Sequence, residues 1–198
     1  QNMKLGLLRI QERLHHLNAA SSKMEELVNS LGDNSADAAT AIMTTDTHKK
    51  EYAVEFELSG KKVTMGAMCK GSGMIHPNMG TMLGFITTDA DIDAKLLQKA
   101  LSETIEDTFN MVSVDGDTST NDTVVVLANG MAGNEEIVEG TEDYEVFAAA
   151  LHEVNEYLAK KIAGDGEGAT ALFEVKVLNA LTKQDAIGLS KSVVTSSL

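Results

Sequence analysis

Two short stretches of alternating polar and apolar residues constrain the fold most. Residues 51–58, EYAVEFEL, and residues 63–68, VTMGAM, both alternate with a period of two, and SGKK between them is typical of a turn. This pattern predicts a β-hairpin with one buried face. The hairpin leads into a glycine-rich loop, KGSGMIHPNMG at 70–80, which is followed by Thr81 and an apolar strand at 82–88.

The rest of the chain interleaves predicted helices with further strands. Apolar residues at helical spacing predict helices over 4–30 (two helices or one kinked helix), from Ser35 to the TTDT cluster at 44–47, and over 92–105, 144–162 and 183–197. Strands are predicted over 110–114, as the partner of 82–88, and over 124–129 and 169–177. This order predicts an α/β fold of mixed layers rather than a purely parallel, doubly wound sheet.

Composition narrows the classes of partner. The 198 residues include 16 Lys and Arg against 30 Asp and Glu, a formal charge of −14, which disfavours nucleic acid and anionic membrane surfaces and favours a small molecule or a protein. No apolar run approaches the roughly 20 residues that span a bilayer, so we expect a soluble protein. The one cysteine, Cys69, is expected to be a small buried hydrophobe and suits a reducing, cytoplasmic compartment.

Thr81 is the residue whose position most suggests chemistry. A hydroxyl that follows a small residue and a tight loop, at the start of a buried strand, can attack the carbonyl before it and cut the chain. The new terminal α-amine, with an ordinary pKa near 8, then serves as general base for the same hydroxyl. Two other interpretations of the loop remain: a phosphate cradle, although the P-loop spacing is missing, and a structural loop stiffened by Pro77.

The polar loop DGDTSTNDT at 115–123 offers Asp115, Asp117 and Asp122 as oxygen ligands for calcium. It lacks the glutamate and glycine positions of an EF-hand, and the five histidines have no ligand spacing. We therefore expect no metal, and interpret the segment as a hydrogen-bonded loop that supports the Thr81 region from behind.

Five sequence blocks together carry a resemblance. They are AIMTTDT, KGSGMIHPNMGTML, VDGDTSTNDT, LANG and GDGEGAT, in that order along the chain. From about Ala36 to Leu198 the sequence resembles the ornithine acetyltransferase (glutamate N-acetyltransferase) family of arginine biosynthesis. The resemblance implies a layered α/β/β/α sandwich, shared with related self-cleaving aminopeptidases, and a precursor that cuts itself before the motif threonine.

The resemblance also implies the reaction. An acetyl group passes from N-acetylornithine to the threonine and then to glutamate, with no cofactor, and acetyl-CoA is a further donor in some members. Family members are commonly heterotetramers of two cleaved chain pairs. Matched residue by residue, Thr81 is the nucleophile, Gly80–Thr81 is the scissile bond, and the substrate-binding positions are Thr44, Lys70, Thr81 and Glu167.

The resemblance places a boundary at the cut. Segment 1–80 ends the part before it and 81–198 begins the part after it, the two forming one intertwined domain of a longer protein whose oxyanion-hole and C-terminal pocket residues lie outside this chain. Gly80 stands where the family usually has alanine. Two alternatives remain: an N-terminal-nucleophile aminopeptidase of related fold, and an uncleaved, inactive scaffold.

Overall fold

The computed structural model describes residues 18, 21–76 and 81–196. The chain divides into two units, Gln1–Asp37 and Ala38–Leu198. The first unit contains helix α1, Met24–Asn29, and most of the helical region predicted over 4–30 lies outside the described residues. Helix α2, Ser35–Ala41, confirms the short helix predicted before the TTDT cluster.

Four strands form one mixed sheet in the order β1-β2-β3-β4. The strands are β1 Lys50–Leu58, β2 Lys61–Lys70, β3 Leu83–Thr88 and β4 Thr123–Ala128. Neighbours pair antiparallel except for β3 and β4, which are parallel. The predicted hairpin, the apolar strand after Thr81 and the strand near 124–129 are therefore confirmed.

The turn between β1 and β2 fixes the hairpin register. Leu58 pairs with Lys61, so only Ser59 and Gly60 lie in the turn, with positive φ angles of 49° and 72°. Positive φ at both central residues is the mark of a type I′ turn, whose twist matches that of the strands. The Asp143 carboxylate accepts the Ser59 N–H at 3.2 Å and anchors the turn.

Three longer helices follow in the second unit: α3 Ala94–Ile105, α4 Glu142–Gly164 and α5 Lys183–Val194. Each begins after a residue whose side chain accepts backbone N–H bonds, namely Asp93, Thr141 and Thr182. These helices confirm the three predicted from apolar periodicity. No helix within the described ranges is both long enough and apolar enough to cross a membrane.

Helix α4 packs on β1 and β2, and α3 packs against α4. The alternation of β1 directs its aromatic side chains toward α4. Tyr52 stacks on Tyr157 with ring centroids 4.0 Å apart, and Phe56 meets Phe147 edge-on at 6.3 Å. Such aromatic pairs add stabilisation beyond the buried area. Cys69 lies buried in this core, as predicted, and burial raises the pKa of its thiol to about 12.

The strand predicted over 110–114 is wrong. A 3-10 turn, Phe109–Met111, occupies the start of that segment. The Val114 N–H donates to Ile75 O at 2.7 Å, in the glycine-rich loop, and not to a carbonyl of a neighbouring strand. The physical reason is competition for the edge of β3, because β4 takes that position along its full length.

The strand predicted over 169–177 is also wrong. The segment has no regular secondary structure, and Phe173 within it is 69% exposed. A strand needs a neighbour for its N–H and C=O groups, and within 21–76 and 81–196 no strand lies beside this segment.

The chain has a mixed α/β fold, with one sheet in the described ranges. The face of this sheet away from α4 is also apolar in the centre, where Met68, Phe85 and Val125 are neighbours across β2, β3 and β4. A second β layer, as in the α/β/β/α arrangement, is not among the described residues.

The packing makes a stability prediction. Phe147 is fully buried, so Phe147→Ala should lower the free energy of unfolding by about 3–5 kcal/mol through lost burial and a cavity. Phe173→Ala, at an exposed phenylalanine of the same unit, should change it by less than about 1 kcal/mol. Denaturant unfolding of both variants checks this, and equal losses would contradict the packing described here.

Candidate active site

A cavity of about 350 Å³ opens at the end of the sheet where β2 stops and β3 starts. Its walls come from four separate chain segments, and its lining residues are Thr44, Thr45, Lys70, Ser72, Gly73, Met74, Thr81, Asp115, Asp117 and Glu167. The structure thus brings together the four residues predicted to bind substrate. Gly80, the predicted residue before the cut, lies outside the described residues, which resume at Thr81.

The backbone N–H of Thr81 makes a hydrogen bond, whereas its hydroxyl makes none with the described residues. Its N–H donates to Met74 O at 2.6 Å. Its Oγ1 is buried and has no hydrogen-bond partner in the described part of the chain. A buried hydroxyl without a partner costs stability, so its persistence here suits a group reserved for a reacting molecule.

The glycine-rich loop approaches Thr81 at Gly71 and Glu167 at Gly73, because neither residue has a side chain. At Gly71, with φ of 152°, an added Cβ would lie 3.2 Å from Met82 Cβ and 3.3 Å from Thr81 O. At Gly73 it would lie 2.7 to 2.9 Å from the carboxyl atoms of Glu167. Any side chain at Gly73 would therefore push this carboxylate out of place.

The loop at 115–123 supports the region around Thr81 with carboxylates, and this interpretation is confirmed. Asp115 accepts the N–H groups of Met74 and Ile75, the latter at 3.0 Å. Asp122 Oδ1 accepts the N–H of Met82, the residue after Thr81, at 2.8 Å. Both sides of the Thr81 backbone are thereby fixed.

Asp122 has a second oxygen, Oδ2, that is buried and has no partner in the described residues. Burial raises the pKa of this carboxyl, although the Met82 N–H and the charge of Lys70 act in the opposite direction. In the described ranges no three acidic, histidine or cysteine side chains are grouped to hold a metal ion.

Two charged groups of opposite sign, on Lys70 and Glu167, line the cavity. Neither the Lys70 ammonium nor the Glu167 carboxylate makes a salt bridge with the described residues, although both line the same space. The Glu167 N–H, however, is fixed to Ser72 O at 2.7 Å. Because the lining offers one ammonium together with the carboxylates of Glu167, Asp115 and Asp117, the cavity is complementary to a molecule that carries both a carboxylate and an amine.

Behind the cavity lies a fully buried ionic cluster that we call the Lys50 cluster, made of Asp46, Lys50 and Asp165. Lys50 Nζ is 2.6 Å from Asp46 Oδ1 and 2.5 Å from Asp165 Oδ2. Burial alone disfavours ionisation of Asp165, but hydrogen bonds from Lys50 and Thr47 outweigh it and lower the pKa of that carboxyl to about 2. Burial also disfavours ionisation of Asp46, but hydrogen bonds from the Gly71 N–H and the Lys50 ammonium lower the pKa of this carboxyl.

The sequence reasoning missed the Lys50 cluster, although a signal was present. The hairpin strand was predicted to start at residue 51, whereas it starts at Lys50. Extending the alternation back by one residue places Lys50 on the same face as Tyr52 and Phe56, which is the buried face. A lysine at an inward position predicts a buried carboxylate partner. The structure also shows a hydrogen bond of 2.6 Å between the hydroxyls of Thr45 and Ser72. No pattern in the sequence predicts this contact.

Comparison with known proteins gives consistent matches. A family model described as the ArgJ family matches residues 8–198. The arginine biosynthesis bifunctional protein ArgJ of Symbiobacterium thermophilum is 58% identical over 166 residues, 84% of this chain and 41% of that protein. The ArgJ protein of Listeria monocytogenes is 54% identical over 173 residues, 87% of this chain and 44% of that protein.

A solved structure agrees with these matches. The crystal structure of the arginine biosynthesis bifunctional protein ArgJ from Bacillus halodurans superposes with a TM-score of 0.57 at 52% identity, over 59% of this chain and 55% of that one. The chain spans less than half the length of the two curated relatives described above. The sequence blocks and these matches agree, and the chain belongs to the ArgJ family.

Proposed function

We propose that the full-length protein containing this chain is an N-acetyltransferase that moves an acetyl group from N-acetylornithine to glutamate through an acetyl ester on Thr81. The observation that carries the proposal is the cavity itself. Within the described residues, it combines a buried hydroxyl that has no hydrogen-bond partner with a Lys70 ammonium and a Glu167 carboxylate that form no salt bridge.

The first step is self-cleavage. Thr81 Oγ1 attacks the carbonyl carbon of Gly80, the new C–O bond replaces the C–N bond, and the hydroxyl proton passes to the departing amide nitrogen. Water then hydrolyses the ester and leaves Thr81 as an amino terminus. The hydrogen bond from Thr81 N to Met74 O supports this proposal, because the same acceptor would retain the new α-amine beside its own hydroxyl.

Acetyl transfer then follows a two-stage course. The α-amine takes the Thr81 Oγ1 proton as the oxygen attacks the acetyl carbonyl of N-acetylornithine, and the proton passes to the departing nitrogen of ornithine. The amine of glutamate next attacks the acetyl ester, and Thr81 regains its hydroxyl. In this scheme Lys70 pairs with a substrate carboxylate, Glu167 with the free side-chain amine of N-acetylornithine, and Thr44 contributes a hydroxyl.

The sheet suits a protein that is cut and then stays together. Segment 1–80 supplies β2 and segment 81–198 supplies β3, and these two strands pair over six residues from Lys70–Leu83 to Met65–Thr88. Cleavage at Gly80–Thr81 would leave that pairing intact. We further propose two such cleaved pairs as a heterotetramer in the cytoplasm, acetyl-CoA as an additional donor, and no nucleic-acid or membrane partner.

Thr81→Ala should abolish both cleavage and acetyl transfer in the full-length protein, because the nucleophile is lost. Thr81→Ser should retain both at a reduced rate, since a hydroxyl remains. Thr87→Ala, at an exposed threonine of β3, should leave both unchanged. Intact mass locates the cut, and peptide mass after incubation with N-acetylornithine locates the acetyl group.

Two results would contradict the proposal. One is a single uncut chain of the unaltered protein, which would favour an inactive scaffold. The other is hydrolysis of an aminopeptidase substrate by a cleaved protein that transfers no acetyl group to glutamate, which would favour the peptidase alternative.

Glu167→Gln should raise the KM for N-acetylornithine roughly 10- to 100-fold, the loss expected for one charge-assisted hydrogen bond. Gly73→Ala should also raise the KM for N-acetylornithine, because the new Cβ displaces the Glu167 carboxylate. The matched control is Gly188→Ala, where an added Cβ meets nothing within 4 Å. Steady-state kinetics check the set, and an unchanged KM in Glu167→Gln would remove Glu167 from the amine-binding role.

A further inference from the structure

The Lys50 cluster does not line the cavity, yet its hydrogen bonds reach the segments that do. Asp46 Oδ2 accepts the N–H of Thr44 at 3.2 Å, and Asp46 Oδ1 accepts the N–H of Gly71, next to Lys70, at 2.8 Å. Asp165, on the other side of the lysine, lies two residues before Glu167 in the chain. One ammonium therefore links the walls that carry three of the predicted substrate-binding residues.

Within the described residues, the walls around Thr44 and Glu167 are not part of a helix or a strand. Residues 44–47 and 165–167 are irregular and more than one hundred residues apart in sequence. Thr47 strengthens the link, because its N–H donates to Asp165 Oδ2 at 3.0 Å and its hydroxyl donates to Asp165 Oδ1. Through Asp165, the threonine-rich segment and the Glu167 segment are thus held at a fixed separation.

Stability alone does not explain the choice of residues. Replacing a buried ion pair by well-packed apolar side chains is often neutral or stabilising, because burying charges is costly. The cluster buries one cation with two anions, and the half-exposed His48 ring lies 3.3 Å from Asp165 Oδ1. What charged groups supply here and apolar ones cannot is directional bonding to four backbone and side-chain donors at defined distances.

We propose that Asp46, Lys50 and Asp165 are positioning residues for the acetyl-transfer site, setting the separation of Thr44, Lys70 and Glu167 that substrate binding requires. This inference rests on the function proposed above. It assigns a purpose to a buried lysine that touches neither the nucleophile nor the cavity.

The test is a double-mutant cycle in the full-length protein. Asp165→Asn keeps the shape but leaves Lys50 with one carboxylate, so we expect a lower unfolding midpoint from the weakened buried ion pair and a KM for N-acetylornithine raised about tenfold through displaced Glu167. In a Glu167→Gln background the same substitution should raise KM by less than about threefold, because the group it positions is already impaired. Asp143→Asn, at the distant hairpin turn, is the control and should leave KM unchanged.

A second variant keeps the inference testable should Asp165→Asn fold poorly. Thr47→Val removes the hydroxyl bond to Asp165 while all three charges remain, and its effect on KM should likewise be smaller in the Glu167→Gln background. Effects that multiply in both cycles, or an unchanged KM in both single variants, overturn the positioning role. An unaltered protein that neither cuts itself nor transfers acetyl overturns the proposed function and this inference together, so the two failures are distinguishable.

Discussion

The environment of the Lys50 ammonium is the constraint on which the rest of the site depends. Its side chain is fully buried, so its charge is stabilised by protein carboxylates alone. Asp46 lies four residues before Lys50 and Asp165 lies 115 residues after it, and the ammonium helps to keep both buried carboxylates ionised. The position of β1, the start of the glycine-rich loop and the end of α4 are therefore linked by one cation.

A second constraint concerns the connection between β2 and β3. Antiparallel neighbours need only two turn residues, but here twelve residues separate Lys70 from Leu83. Aspartates replace the missing strand hydrogen bonds along this connection: Asp46 binds Gly71, Asp115 binds Met74 and Ile75, and Asp122 binds Met82. The high acidic content that disfavoured a nucleic-acid partner is thus partly structural, since carboxylates serve as acceptors for backbone N–H groups.

The sequence predicted what depends on local pattern. Alternation and turn chemistry predicted β1 and β2, apolar periodicity predicted the three long helices, and the ordered motifs predicted which residues line one cavity. It failed where the outcome depends on neighbours. The two segments wrongly predicted as strands both have strand-like composition. Residues 110–114 do not pair with β3 because β4 occupies that edge, and residues 169–177 have no neighbouring strand in the described part of the chain. Lys50 was missed because, although Asp46 lies four residues before it, its second partner Asp165 lies more than one hundred residues away.

These two constraints meet at Thr81. The threonine is fixed on both sides, by Met74 O on its own N–H and by Asp122 on the N–H of Met82, so only its side chain and the bond before it are left to react. A cut at that bond would break the covalent link between β2 and β3 but none of these hydrogen bonds. The geometry that presents the hydroxyl in the uncut chain would therefore retain it after the proposed cut, and the same carboxylates would serve both states.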